Sequence, residues 1–434
     1  MITISRRRFL ALGGGLLAAG CTQRPSIGGA PPTTVAGPTE STAPSTASPT
    51  PPTRSPTVVT TVTAPAELVP DDRVLVMVEL AGGNDAVNTL PPLDGRYRDL
   101  RPTLALPEDE IIATASLEGH GLHPSLAPLL PLFDAGRIAT VAGIGFDDPD
   151  RSHFVSTDRW VKADRMDEST GWLGRWLDTL PDAPSALGAT ALGSGGQMLR
   201  GAARQGTVID AIDAFAFPSD LPHRAIRALT EPVNDERLAA AAQAAFASSL
   251  GAVEEFDAIA DAVRAEIPAT TADPYGTRGG YSTGLAVAAQ LILGDVGARA
   301  ITVTHGNFDT HSDQLGTHAD LLSDLATGLA AFWATLDAAG ASDRVLLVTH
   351  SEFGRRVREN ASNGCDHGAA GVSFVMGDAI RPGLHGSIDT SDLLDGDLRP
   401  QFDPRTVLTA GLDWLGGDAE AVLGGRNDEL ALLV

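Results

Sequence analysis

The sequence predicts an α/β fold, a large mostly parallel sheet flanked by helices, and three observations carry that prediction. Short β-branched runs recur along the chain, each ending in a polar loop. Helical patterns of period 3.6 lie between them. Residues 71–434 are Gly-rich and moderately apolar, long enough to bury a large core. Strands alternating with helices form βαβ units, and such units build parallel sheets.

The strand candidates come in order. Arg73–Leu80 (RVLVMVEL) opens into Ala81-Gly82-Gly83-Asn84-Asp85. Ile138–Gly143 opens into an acidic loop ending in Arg151-Ser152-His153. Ala300–Thr304 leads to His305-Gly306-Asn307-Phe308-Asp309-Thr310-His311, and Arg344–Thr349 to His350-Ser351-Glu352-Phe353-Gly354-Arg355. Val372–Met376 is a fifth parallel candidate, preceded by Asp366-His367-Gly368. Among the helices, Leu321, Leu322, Leu325, Leu329, Phe332, Trp333 and Leu336 share one face. Glu236–Ile267, Leu285–Leu293 and Arg405–Leu415 are further examples. Open α/β sheets gather their chemistry at the carboxyl ends of strands. Four of the polar loops sit at such ends, and the fifth lies just before a strand.

The N-terminus points to export. Residues 1–21 contain Ser5-Arg6-Arg7-Arg8-Phe9-Leu10 and a short apolar run, the pattern of a twin-arginine signal. The run from Phe9 to Gly20 is too short to span a bilayer as a stable helix. It ends in Leu17-Ala18-Ala19-Gly20-Cys21, similar to a bacterial lipobox in which Cys21 is acylated. The alternative is an ordinary small-residue cleavage site with an incidental cysteine. Residues 22–70 are rich in Pro, Thr and Ser, and read as a disordered linker, since so little apolar surface cannot offset the entropy of ordering. The expected partners are therefore the twin-arginine translocase and, through the lipid, the outer face of the cell membrane.

The formal charge is −24, and removal of Arg6, Arg7 and Arg8 with the signal leaves −27. Such a surface argues against nucleic acid as a partner. An anionic substrate needs locally bound cations to approach it. With Cys21 modified, Cys365 has no cysteine left to pair with.

Asp85, Ser152, His153, Asp309, His311, His350, Glu352, Asp366 and His367 come from loops that a parallel sheet brings to one edge. Carboxylates and imidazoles together suit a divalent ion such as Zn²⁺ or Mn²⁺. Two such ions would bind both the attacking and leaving oxygens of a phosphoryl or sulfuryl group. Each residue also has a structural explanation. Gly83-Asn84-Asp85 is compatible with a tight turn, Ser152 with a helix N-cap, and Asp309-Thr310-His311 with a loop. Glu352 with Arg355 is compatible with a surface ion pair, and Asp366 with a carboxylate orienting a solvent-facing His367. Gly280-Tyr281-Ser282-Thr283-Gly284 matches a nucleophile elbow, but no apolar strand precedes it, so it reads as a helix start.

The segments LAGGNDAVNTLPPLDGRY, LHPSLAPLLPLFDAGRIATVAGIG, RSHF, FDTHSDQ, SEFGRR and GCDHG occur here in that order. Together they resemble the exported bacterial domain-of-unknown-function family 1501, which is similar to the alkaline phosphatase and sulfatase superfamily. That resemblance implies an alkaline-phosphatase-like sheet with one or two metal ions at its carboxyl edge. It implies Asp85 as the ligand after the first strand and Ser152 as a nucleophile at a helix N-terminus. Asp309 and His311 resemble a ligand pair and His367 a late histidine ligand, while Ser351-Glu352 stands where the superfamily has a further Asp-His pair. His153 or Arg151 would hold the non-bridging oxygens of a small anionic ester. Two functions are thereby expected: a metal-dependent phosphate- or sulfate-ester hydrolase or transferase, or a non-catalytic cell-surface binding or assembly protein that keeps the fold.

Overall fold

A computed structural model describes residues 72–209 and 280–434, with residues 249–257 and a few neighbours between them. The expected signal (1–21), Cys21 and the linker (22–70) lie outside the described residues, as does most of the Glu236–Ile267 pattern, of which residues 249–257 are helical. Eight strands form one sheet: β1 Val74–Leu80, β2 Ile138–Ile144, β3 Ala189–Leu192, β4 Thr207–Ile209, β5 Ala300–His305, β6 Val345–His350, β7 Gly371–Met376 and β8 Gly383–His385. Their order is β8-β2-β7-β6-β1-β5-β3-β4.

The sheet is mostly parallel. β1 pairs in parallel with β5 and β6, and β5 continues in parallel through β3 to β4. One expected parallel strand is reversed: β7 runs antiparallel to both β2 and β6. The reversal places the residues that lead into β7 at the edge where the other strands end. Asp366-His367 therefore reaches that edge although it precedes its strand. β3 and β4, of four and three residues, carry too short an apolar run to be read from sequence.

Period-2 alternation along β1 divides the core between the two faces of the sheet. Val74, Val76, Val78 and Leu80 join one cluster with helices α3 (Gly280–Leu293) and α4 (Gln314–Ala339). Leu75 and Met77 join the other, with α2 (Trp172–Thr179) and α5 (Arg405–Trp414). The α4 face expected from its spacing is buried at every named position. The GYSTG segment forms the start of α3, which agrees with the helix reading. The remaining long helix, α1, spans His153–Lys162 and begins at the functional edge. Among the described residues no helix is long and apolar enough to cross a membrane.

Four histidines are sealed into this frame. Burial lowers His123 to about 3 and His305, His318 and His350 to about 4, from an ordinary 6.5. A lowered folded value means that the unfolded chain takes up protons first as pH falls. Their stability contribution is therefore complete above about 6.5 and is lost as pH drops towards about 4, at up to about 1.4 kcal/mol per pH unit for each histidine. Urea midpoints recorded between pH 7.5 and 4.5 should fall steeply below pH 6.5. A flat profile over that window would show that these rings are not held neutral.

Candidate metal centre

The edge begins with the turn after β1. Gly82 and Gly83 have φ of +121° and +80°, values that L side chains rarely adopt. A Cβ on Gly82 would run into the Asp309 amide nitrogen and lie 2.7 Å from the Phe308 carbonyl carbon, while one on Gly83 would meet the Phe353 ring. The bare backbone lets both amides reach Glu352, with Gly82 donating at 2.9 and 3.1 Å and Gly83 at 3.2 Å. Glu352 is 5% exposed. The alternative of a surface pair with Arg355 is thus excluded by the geometry, since Glu352 is enclosed and turned to the glycine amides and His153.

Three imidazoles converge in front of this turn, two of them with Nδ1 held by an acceptor. His153 Nδ1 lies 2.6 Å from Glu352 Oε1. His367 Nδ1 lies 2.7 Å from the Arg151 carbonyl, and His311 Nδ1 lies 3.5 Å from Asp366 Oδ1. Carbonyl and carboxylate oxygens only accept, so the His153 and His367 contacts put the ring proton on Nδ1 and leave a lone pair on Nε2. The Nε2 atoms all turn to Asp309: His311 at 3.0 Å and His367 at 3.2 Å from Oδ1, and His153 at 3.5 Å from Oδ2. The His153 contact lacks hydrogen-bond geometry, and its Nε2 is buried without a partner. His311 and His367 bring their Nε2 atoms within 2.8 Å of each other. Two lone pairs at that separation repel unless a proton or a cation lies between them. Phe353 packs against the His153 and His367 rings, with centroids 4.9 and 4.7 Å away.

His153, Asp309 and His367 offer ligand atoms within 4.8 Å of one another and form a group that can hold a metal ion. Metal-binding imidazoles characteristically donate the second nitrogen to a carboxylate or carbonyl, which is the role Glu352 plays for His153 and the Arg151 carbonyl for His367. The orphaned lone pair on His153 fits the same purpose. Burial alone would raise the Asp309 carboxyl, but the Arg355 guanidinium, through its hydrogen bond and its charge, outweighs it and holds the group down to about 2. Asp309 is therefore a carboxylate at any physiological pH.

Arg355 ties the loops together. It is fully buried and donates to the carbonyls of Gly82, Gly83, Phe308 and Cys365 as well as to Asp309 Oδ1 at 2.6 Å. Cys365 is a buried free thiol pushed up to about 12 by burial.

Asp85 follows β1 at the sheet edge, and its side chain is committed to other partners. It is fully buried, and both its oxygens are taken by its neighbours. Oδ1 accepts from Arg101 Nη2 at 2.9 Å and from the Val87 amide at 3.2 Å. Oδ2 accepts from Arg101 Nη1 and Gln314 Nε2. Burial would raise its pKa, yet the Arg101 guanidinium and these bonds lower it. An arginine thus meets the charge of Asp85, and the residue stands apart from the group around Asp309. Neither Arg101, in the segment RDLRP, nor Gln314, at the start of α4, carried a signal in the sequence. Ser152 is the N-cap residue of α1, but its side chain makes no cap hydrogen bond, and its own amide donates to Asp150 Oδ1 at 2.7 Å.

Residues 143–431, two thirds of the chain, match the family described as Protein of unknown function (DUF1501). The chain belongs to the DUF1501 family. All the converging residues, from His153 to His367, fall within the matched span, whereas Asp85 and Arg101 precede it. No curated protein matches the chain. Among solved structures it is similar to the lipoteichoic acid synthase LtaP from Listeria monocytogenes, at 10% identity over 83% of this chain and 76% of that one, with a TM-score of 0.35. It is also similar to a phosphonate monoester hydrolase from Silicibacter pomeroyi, at 10% identity over 82% and 78%, with a TM-score of 0.34. Likeness at this level assigns no activity to the DUF1501 chain.

Proposed function

We propose that this protein is a metal-dependent hydrolase or transferase of phosphate or sulfate esters, exported through the twin-arginine translocase and held at the outer face of the membrane by a lipid on Cys21. The observation that supports it most is the set of three imidazoles whose Nε2 atoms face one carboxylate, with acceptors behind them fixing the His153 and His367 rings. His153, Asp309 and His367 would hold the ion, with His311 beside them. Nitrogen-rich donors with one carboxylate suit Zn²⁺ or Mn²⁺. A bound divalent ion would supply Lewis-acid stabilisation of charge on a phosphoryl or sulfuryl oxygen.

The chain's own contribution centres on Ser152. Its hydroxyl is not spent on capping α1, and the helix N-terminus favours negative charge beside it. With its Nε2 lone pair turned to Asp309, His153 would serve the ion and not the non-bridging oxygens of the substrate. Ser152→Ala should abolish ester turnover while fold and metal content stay nearly intact. If the variant keeps wild-type activity at saturating metal, Ser152 is not the nucleophile. A second reading, a non-catalytic cell-surface binding or assembly protein, is favoured by the guanidinium of Arg355, which already engages Asp309. A panel of aryl phosphates and sulfates separates the two, since the binding protein would turn over none.

The routing has its own test. Replacing Arg6 and Arg7 together by lysine should leave precursor in the cytoplasm, and Cys21→Ala should release the protein from membranes or leave it unprocessed. Failure of labelled fatty acid to appear on the wild-type protein would remove the lipid anchor from the account.

A further inference from the structure

A second charged group lies beside the metal centre. Asp397, in the hairpin formed by Leu393–Leu394 and Asp397–Leu398, has a fully buried carboxylate. Arg151 donates to its Oδ2 through Nε at 2.9 Å and also through Nη2. Arg356 Nε lies 3.2 Å from Oδ1, and its Nη2 donates to the Asp395 carbonyl. The hairpin is shaped around that side chain: Gly396 has φ +88°, and a Cβ there would lie 2.8 Å from Arg356 Nη2. Each arginine is anchored through two nitrogens. Among the described residues neither Nη1 has a protein partner, and both side chains remain more than one-third exposed.

These arginines are joined to the centre by backbone. The Arg151 carbonyl holds His367 Nδ1, and the Arg356 amide donates to the Asp366 carbonyl at 2.9 Å. Exposed ion pairs are usually worth little, but here the carboxylate is buried and two rigid forks share it. The charges also distinguish this group from a balanced surface network. Around the centre, Asp309, Glu352 and Asp366 outnumber Arg355, so a divalent ion brings that region to neutrality and leaves nothing to attract a polyanion. Arg151, Arg356 and Asp397 add a net positive charge there, on a chain whose formal charge is −24.

We propose that Arg151 and Arg356, forked on Asp397, bind a second anionic group of a substrate whose first group is held at the metal centre. The preferred substrates are then esters with two neighbouring anionic groups, phosphate, sulfate or carboxylate, rather than simple monoesters. The position of the first group rests on the proposed reading of the metal centre. Guanidinium forks match phosphate-type oxygens bidentately, which is why two arginines serve this role better than lysines would.

Inorganic pyrophosphate and inorganic phosphate serve as probes, titrated calorimetrically into the purified protein, with metal content measured on the same samples. Pyrophosphate should bind at least tenfold more tightly than phosphate. Arg151→Gln and Arg356→Gln should each remove most of that difference at unchanged metal content, and Arg356→Lys should restore only part of it. Equal affinity for the two anions, or a difference that survives both glutamine variants, overturns the proposal. A wild type without metal that still prefers pyrophosphate through these arginines would instead overturn the metal reading and leave the arginine pair standing.

Discussion

Asp309→Asn should empty the metal centre while leaving the protein folded. Asparagine keeps the shape of the side chain and an oxygen that can still accept from Arg355, so the buried guanidinium retains a partner. What disappears is the charge on which His153, His311 and His367 converge. Loss of a residue that merely supports a ligand typically costs 10–100-fold in metal affinity, so loss of the central carboxylate should cost more than about 100-fold. The readout is metal retained after dialysis, beside an unchanged far-ultraviolet circular dichroism spectrum. Full retention would show that the carboxylate serves Arg355 alone.

Arg101→Ala should produce the largest loss of stability. Asp85 and Arg101 are both fully enclosed, and the guanidinium also donates to Asn88 Oδ1 and to the carbonyls of Val357 and Arg356. Removing the cation leaves a buried carboxylate facing only Gln314 and an amide, and breaking such a pair typically costs about 3–5 kcal/mol. Urea unfolding measures it. Metal content per folded molecule should not change, because Asp85 is committed to Arg101 and stands outside the ligand group. A variant that unfolds normally but loses its metal would return Asp85 to the ligands.

The fold was legible where long apolar patterns carried it. The α4 spacing and the β1, β5 and β6 runs each correspond to an element, because burial on one face or on both faces dictates residue type over several turns or pleats. The direction of β7 was not legible, since a strand reads the same in either sense and only its neighbours decide its pairing. Much of the candidate site was visible as acidic and imidazole residues at strand ends. Their division of labour was not. Glu352 lies behind the His153 ring it orients, Asp366 accepts from Asn360, and Asp85 is turned to Arg101; these distinctions depend on side-chain contacts that the sequence does not display. Arg355 stood close to Glu352 in sequence and suggested a pair, whereas its side chain joins other loops.

On the proposed reading an ion, and not a shared proton, reconciles the imidazole nitrogens of His311 and His367 at 2.8 Å. The measurement is elemental analysis by inductively coupled plasma mass spectrometry, on protein produced with its own N-terminus and washed free of loose metal. About one tightly held Zn²⁺ or Mn²⁺ per chain is expected, lost in Asp309→Asn and kept in Ser152→Ala. A washed wild type with no stoichiometric metal, which also fails to take up Zn²⁺ or Mn²⁺ when either is supplied, would contradict it.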